Sequence, residues 1–132
     1  MVSIILAEDH IKVRQGLRRI IEEDPNLQVI HEADDGVELL KLLEDNTPDI
    51  VILDISMPRL EGIEAAQIIK QRYPGIKIII LTMHRELHYF SRAQEIGVHG
   101  YLLKEEADTG LNSAIKTILQ GTTYSSPLIA EI

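Results

Sequence analysis

Two patterns of apolar and polar residues alternate along this chain. Five short runs are largely apolar and rich in β-branched residues, which is typical of strands; they cover residues 3–7, 27–33, 50–53, 77–82 and 100–103. Five longer segments repeat apolar residues every three or four positions, which predicts amphipathic helices; they cover residues 10–23, 35–46, 61–73, 86–96 and 108–120. Each predicted strand is therefore followed by a predicted helix, and Asp108 is a candidate N-cap of the last helix.

This alternation predicts an α/β fold in which a parallel sheet carries helices on both faces. Residues 50–53 are apolar without a break, as a central parallel strand requires, because both of its faces are buried. Residues 27–33 mix polar and apolar positions, which indicates an edge strand. The crossovers between parallel strands are expected to be right-handed.

The length of 132 residues suits one compact domain with a single core. We assign that domain to residues 1–121. Residues 122–132 show no regular pattern and are interpreted as a linker or tail.

The composition excludes several kinds of site. No cysteine is present, so disulfides, cysteine-ligated zinc, iron–sulfur clusters and thiol nucleophiles are excluded. No apolar run approaches the roughly 20 residues that span a bilayer, and no basic segment precedes the apolar start as in a signal peptide. A cytoplasmic location is therefore expected. The formal net charge of -8 disfavours DNA binding by this domain itself, since nucleic-acid affinity depends on Lys and Arg.

Charged and polar side chains follow the predicted strands at the points where they end. In open parallel sheets, ligands bind outside the carboxyl ends of the strands. The residues placed there are Glu8 and Asp9 after the first strand, Asp54 after the third, Thr82 at the end of the fourth and Lys104 after the fifth. We therefore expect three carboxylates, a hydroxyl and an ammonium at one edge of the sheet.

That set of groups favours phosphoryl transfer. Neighbouring carboxylates repel one another, and Mg²⁺, which prefers oxygen ligands, relieves the repulsion. Asp54 is the candidate nucleophile, because carboxylates form aspartyl phosphates. The metal and Lys104 would stabilise charge on the transferred group, and Thr82 could donate a hydrogen bond to the product.

The same positions resemble the receiver domain of two-component response regulators over about residues 2–120. The resemblance rests on the acidic pair Glu8 and Asp9, on Asp54 in Asp-Ile-Ser-Met-Pro, on Thr82 in Ile-Leu-Thr-Met-His, and on Lys104 in Gly-Tyr-Leu-Leu-Lys. Met83-His84, Gly-Tyr-Leu-Leu-Lys and Gly-Thr-Thr-Tyr-Ser-Ser-Pro resemble the NarL/FixJ-type subfamily, in which a receiver precedes a helix-turn-helix DNA-binding domain.

The resemblance implies a CheY-like, flavodoxin-like (βα)5 doubly wound parallel sheet with strand order 2-1-3-4-5. It implies that a sensor histidine kinase phosphorylates Asp54, and that Thr82 and Tyr101 form a switch pair in which the ring turns inward. The implied Mg²⁺ ligands are Glu8, Asp9, Asp54 and the main-chain carbonyl of Ser56. Homodimerisation on phosphorylation is also implied, through the face near Tyr101, the fourth helix or the last helix.

The role of the whole protein stays open at this point. Transcription control would act through a DNA-binding domain that is absent from this sequence, so the chain is expected to be either a truncated piece or a stand-alone receiver acting by protein–protein interaction. The chain is not expected to be a turnover enzyme, although it could dephosphorylate itself. Met83 is expected to narrow access to the phosphate, and Ser56 and His84 are expected to flank the pocket and to tune dephosphorylation.

Three other functions are weaker. A phosphatase of the haloacid dehalogenase type needs a second Asp two residues after the nucleophile, where Ser56 stands. A flavodoxin-like cofactor carrier needs a small-residue phosphate loop after the first strand, where Glu8 and Asp9 would repel an anion. An adaptor that no longer accepts phosphate should lack Asp54 or Lys104.

Two further clusters are interpreted as solvated surface. His84 and His88 flank Glu86, but the order differs from the zinc-protease motif His-Glu-x-x-His, and a solvated helix face is the better interpretation. A second group of basic residues is interpreted as the solvated face of the first helix, with a kinase-docking surface as the alternative; its members are Arg14, Arg18 and Arg19.

Overall fold

The computed structural model describes residues 1–130, which contain five strand–helix pairs, a sixth short strand and a final helical turn. The strands are β1 (Val2–Ala7), β2 (Leu27–Ala33), β3 (Ile50–Leu53), β4 (Lys77–Thr82), β5 (Gly100–Leu103) and β6 (Tyr124–Ser125). The helices are α1 (Ile11–Glu22), α2 (Gly36–Asp45), α3 (Gly62–Arg72), α4 (Leu87–Ile96), α5 (Ala107–Leu119) and α6 (Pro127–Ala130). A 3₁₀ turn, Lys104–Glu106, joins β5 to α5.

The strands form one parallel sheet in the order β2-β1-β3-β4-β5-β6. The predicted order 2-1-3-4-5 and the CheY-like doubly wound fold are confirmed, and β6 adds a strand beside β5. One face of the sheet packs against α1 and α5, and the other packs against α2, α3 and α4. The strands β3 and β5 are buried throughout, because helices cover both of their faces.

The expectation that the chain after Gly121 lacks regular structure is wrong for most of that segment. Tyr124–Ser125 pair with β5, Pro127–Ala130 form a helical turn, and the side chain of Ile129 is only 2% exposed in the core. A strand of two residues has no periodicity, so the sequence pattern could not reveal it. Residues 131–132 of the predicted tail lie outside the described residues.

The start of α5 also differs from the prediction. The predicted N-cap, Asp108, is not the cap: the helix begins at Ala107, and Asp108 lies in its first turn. The preceding 3₁₀ turn continues directly into the helix, so the helix starts earlier in the sequence than predicted. A carboxylate in the first turn still interacts favourably with the helix dipole.

Among residues 1–130, no helix is both long and apolar enough to cross a membrane.

Candidate functional site

The carboxyl ends of β1, β3 and β5 bring three charged side chains into contact. The Nζ of Lys104 lies 2.8 Å from Oδ2 of Asp54, and it also forms an ion pair with Oε1 of Glu8. The main-chain N–H of Asp54 donates to the carbonyl of Ala7 at 3.3 Å, so β1 and β3 remain paired up to the site. Residues that are far apart in sequence therefore meet because parallel strands end at a common edge.

These charges are largely shielded from water. The side chains of Glu8, Asp54 and Lys104 are 1%, 6% and 14% exposed. Burial by itself would lower the pKa of Lys104, but its hydrogen bonds to Asp54 and Glu8 outweigh this effect, so the pKa is raised. Lys104 therefore stays protonated at neutral pH, and one ammonium faces two buried carboxylates with Asp9 beside them.

Oxygen atoms at this edge are left without donors. Oδ1 of Asp54 is buried and has no hydrogen-bond partner among the residues that the structure describes. Oδ1 of Asp9 is likewise buried without a hydrogen-bond partner among these residues, although Nδ1 of the exposed His10 lies 3.2 Å away. A buried acceptor without a partner costs roughly 1–3 kcal/mol, and a cation offsets that cost. Carboxylate oxygens are the donors that a hard divalent cation prefers, so the residues present fit Mg²⁺.

The loop after β3 places Ser56 at the rim of the site. Ser56 Oγ and His84 Nε2 are 2.7 Å apart and form a hydrogen bond across the top of the site. The side chain of Met83 is 77% exposed beside them. They line a cavity of about 200 Å³ together with the charged residues; its lining is His10, Asp54, Ser56, Met83, His84 and Lys104. The pair formed by Ser56 and His84 therefore borders the cavity that Asp54 also lines.

Thr82 and Tyr101 both bond to the main chain of His84. The hydroxyl of Thr82 accepts from the His84 N–H at 3.1 Å, and the hydroxyl of Tyr101 donates to the His84 carbonyl at 3.2 Å. The ring of Tyr101 is 1% exposed and packs edge-on against Phe90, with centroids 5.2 Å apart. Burial, with the nearby carboxylates of Glu86 and Asp54, raises the pKa of Tyr101, so its hydroxyl remains a donor.

The interpretation as a solvated helix face is wrong for His84, which lies before α4 and bonds to Ser56, but it is right for His88, which is exposed on α4. His88 is in the first turn of α4, and its ring centroid lies 4.1 Å from that of Tyr89. His10 is a site residue that the sequence interpretation missed. Its Nδ1 lies 3.3 Å from Oε2 of Glu8 and close to Asp9. Its position next to the acidic pair was a signal that could have been used.

The interpretation of Arg14 as part of a solvated helix face is wrong. Its side chain is 14% exposed, and its guanidinium donates to the main-chain carbonyls of Glu8 at 2.9 Å and of Ala33 at 3.4 Å. It also pairs with Glu32 and Asp34 at the end of β2. Arg14 therefore fixes the main chain that carries the acidic pair, by joining the ends of β1 and β2.

A second ion pair holds the loop after β3. Arg59 has a φ of 67°, in the left-handed region, where a residue other than glycine is strained by roughly 1–3 kcal/mol. Its Nε donates to Oδ2 of Asp35 at 2.8 Å, while Oδ1 of Asp35 caps α2 by accepting from the Glu38 N–H at 2.8 Å. The side chain of Asp35 is only 9% exposed. Asp35 thereby ties the loop that carries Ser56 to the start of α2.

Asp35→Ala is expected to lower the free energy of unfolding at neutral pH by about 1–2 kcal/mol, the usual cost of a lost N-cap. Asp35→Asn should cost less, because an amide oxygen still caps the helix. The bond from the Glu38 N–H and the ion pair with Arg59 hold the pKa of Asp35 below its ordinary value of 3.8.

The charge of Asp35 therefore stabilises the fold fully above its unfolded-state pKa, and this contribution is lost as pH falls through the lower folded-state value. Urea unfolding along an acid pH series checks this. The difference in unfolding free energy between the wild type and Asp35→Asn should shrink towards acid pH. A difference that grows at acid pH would contradict the account.

Comparison with known proteins places this chain in a family. The sequence matches the response regulator receiver domain over residues 4–116. It is 36% identical to the response regulator UvrY of Escherichia coli (strain K12), across 99% of this chain and 60% of UvrY. It is 34% identical to the transcriptional regulatory protein DegU of Brevibacillus brevis, across 97% of this chain and 54% of DegU. The chain thus spans little more than half the length of these relatives.

Solved structures of response regulators have the same fold as this chain. A two-component response regulator of the LuxR family from Aurantimonas sp. SI85-9A1 superposes with a TM-score of 0.94 at 40% identity, covering 99% of this chain and 94% of that one. The isolated REC domain of RcsB from Salmonella enterica serovar Typhimurium, determined with the phosphomimetic BeF3-, gives a TM-score of 0.92 at 28% identity, covering 98% of this chain and 96% of that one.

Proposed function

This chain belongs to the receiver-domain family of two-component response regulators, with relatives of the LuxR/NarL group, and from that premise we propose that Asp54 accepts a phosphoryl group from a sensor histidine kinase. The observation that carries the proposal is the state of the Asp54 carboxylate. One of its oxygens is held by Lys104 at 2.8 Å, and the other is buried without a partner among residues 1–130. A fixed carboxylate with a free oxygen is suited to attack phosphorus.

The proposed reaction forms a bond between phosphorus and Oδ1 of Asp54 and breaks the bond between phosphorus and the donor's imidazole nitrogen. Lys104 keeps its contact with Oδ2 and places a positive charge beside the incoming group. Thr82 accepts a bond from the His84 N–H, which leaves its hydroxyl proton free to donate to a phosphate oxygen.

Mg²⁺, when bound, would neutralise charge on the transferred group. The residues proposed to hold it are Glu8, Asp9, Asp54 and, through its main-chain carbonyl, Ser56. The excess of carboxylates over cationic groups at this edge supports that assignment. Arg14 would keep the acidic pair in place through its bond to the carbonyl of Glu8.

The proposed switch acts through the main chain at His84. A hydroxyl of Thr82 that turned toward phosphate would release the His84 N–H, and the bond from Tyr101 to the carbonyl of the same residue would then be strained or moved. The ring of Tyr101 is already buried in this structure. The conformational change on phosphorylation would therefore mainly move residues 83–86. The site is proposed to accept one phosphoryl group per chain in the cytoplasm, without turnover as an enzyme.

The output is proposed to be transcription control through a C-terminal DNA-binding domain. DegU is a transcriptional regulatory protein, and solved structures include RcsB dimers bound to DNA. This chain corresponds to the receiver portion of such relatives.

The Mg²⁺ assignment predicts that Asp9→Asn reduces divalent-cation affinity by at least about tenfold. Removing even a residue that only hydrogen-bonds to a metal ligand lowers metal affinity by about 10–100-fold. The rate of phosphorylation by a small phosphodonor at limiting Mg²⁺ should fall with it. Calorimetric titration with Mg²⁺ measures the affinity, and Asp108→Asn, an exposed acid on α5, is the matched control. Equal Mg²⁺ affinities of Asp9→Asn and the wild type would show that Asp9 does not bind the metal.

Phosphorylation is also predicted to promote homodimerisation. The proposed face includes α4 and α5, where Leu87 is 51% exposed and Leu119 is 41% exposed. Sedimentation in Mg²⁺ with and without BeF3- should show a doubled mass only with the mimic. Asp54→Ala should stay monomeric in both conditions, and identical wild-type masses in both would argue against a dimer.

A further inference from the structure

The chain after α5 is anchored through a completely buried serine. The side chain of Ser126 is 0% exposed, and its main-chain N–H donates to the carbonyl of Tyr101 at 2.9 Å. Its hydroxyl accepts from the Leu128 N–H at 3.1 Å and donates to Oε1 of Glu106. The segment is thus attached to the strand that carries Tyr101 and to the turn that follows it.

Glu106 connects this anchor to the site. The same Oε1 atom accepts from the main-chain N–H of Leu103 at 3.1 Å. Leu103 directly precedes Lys104, whose ammonium contacts Asp54. One carboxylate oxygen therefore joins Ser126 to the main chain at which the Lys104 side chain begins.

The geometry of the sheet explains why Glu106 is needed. In a parallel ladder, a longer β6 would offer its next carbonyl, that of Ser126, to the Leu103 N–H. That carbonyl instead accepts from Ile129 at 3.1 Å, because the chain turns into α6 at Pro127. The carboxylate of Glu106 replaces the missing strand partner, and Ser126 fixes that carboxylate in place.

We propose that Glu106 and Ser126 are positioning residues for Lys104, so that residues 124–129 complete the phosphorylation site rather than merely follow it; this rests on the proposed function. Lysine has four flexible bonds, and it reaches a fixed carboxylate reproducibly only if its main chain is fixed. Hydrogen bonds to a carboxylate are stronger than neutral ones, so this connection is suited to that role.

The test measures both the phosphorylation rate and the Mg²⁺ affinity of variants of the 132-residue chain. Ser126→Ala and Glu106→Ala are expected to slow phosphorylation by acetyl phosphate about fivefold at saturating Mg²⁺, the effect of about one lost hydrogen bond on a barrier. Mg²⁺ affinity measured by calorimetry should stay at the wild-type value, because Glu8, Asp9 and Asp54 are untouched.

Two variants serve as controls. Ser125→Ala alters an exposed neighbour and should react at the wild-type rate. Glu106→Gln should restore most of the rate lost in Glu106→Ala, because both donors use a single oxygen and an amide carbonyl can accept from both. If Ser126→Ala does not fold, the two Glu106 variants decide the matter.

Wild-type rates in Ser126→Ala and Glu106→Ala would overturn the inference, as would a parallel fall in Mg²⁺ affinity, which would indicate general disruption of the site. Equal rates in Glu106→Gln and Glu106→Ala would also overturn it. Failure of the wild-type chain to accept phosphate would instead reject the proposed function, and the inference with it.

Discussion

Asp54→Asn is expected to reduce phosphoryl incorporation to background while the domain stays folded. An amide has almost the shape of a carboxylate and can still accept the hydrogen bond from Lys104, but it is not a nucleophile towards phosphorus. Lys104 also keeps its ion pair with Glu8, so no buried charge is left without a partner. Incorporation from a small phosphodonor in Mg²⁺, followed with urea unfolding of the same preparations, measures both effects.

Asp45→Asn is the matched control, because Asp45 is an exposed acid at the end of α2, outside the residues that form the site. It should incorporate phosphate as the wild type does. Incorporation at the wild-type level in Asp54→Asn would refute the acceptor assignment.

Gly62→Ala is expected to have the largest effect on stability. A Cβ at this position would lie 1.9 Å from the carbonyl oxygen of Asp54 and 2.7 Å from its carbonyl carbon. These are main-chain atoms that cannot rotate away, so the start of α3 or the end of β3 must move. The loss in unfolding free energy should reach or exceed the roughly 1–3 kcal/mol usual for overpacking. Phosphorylation of Asp54 should fall as well.

Gly16→Ala is the matched control. Gly16 lies inside α1, and a Cβ there meets nothing within 4 Å. Alanine should therefore raise the unfolding free energy by about 0.5–1 kcal/mol through helix propensity. Urea unfolding of both variants measures the contrast, and a Gly62→Ala variant as stable as the wild type would show that the close approach of α3 to β3 is not required.

The parts of the site that follow from strand ends could be predicted from the sequence. The periodicity located β3 and β5, and the general rule for parallel sheets then placed Asp54 and Lys104 at one edge. The same reasoning could not place the ring of Tyr101, because the packing against Phe90 and the bond to His84 are tertiary contacts.

Other parts had no local signal. Arg14 lies on an amphipathic helix at a position where arginine is usually exposed. Only its bonds to main-chain carbonyls at the ends of β1 and β2 make it a largely shielded connection between these strands. The contact between Glu106 and Ser126 depends on a return of the chain that produces only two residues of strand. Short strands and long-range side-chain bonds have no periodicity, so the sequence pattern did not reveal them.

We propose Asp54 as the phosphoryl-accepting group of a Mg²⁺-dependent phosphorylation site. The most direct measurement is to incubate the chain with Mg²⁺ and a small phosphodonor, with a chelator in a parallel sample, and to locate the modified residue by mass spectrometry after borohydride trapping. The account predicts one modification per chain, on Asp54, that is absent with the chelator. Modification of another residue, or none in Mg²⁺, would contradict it.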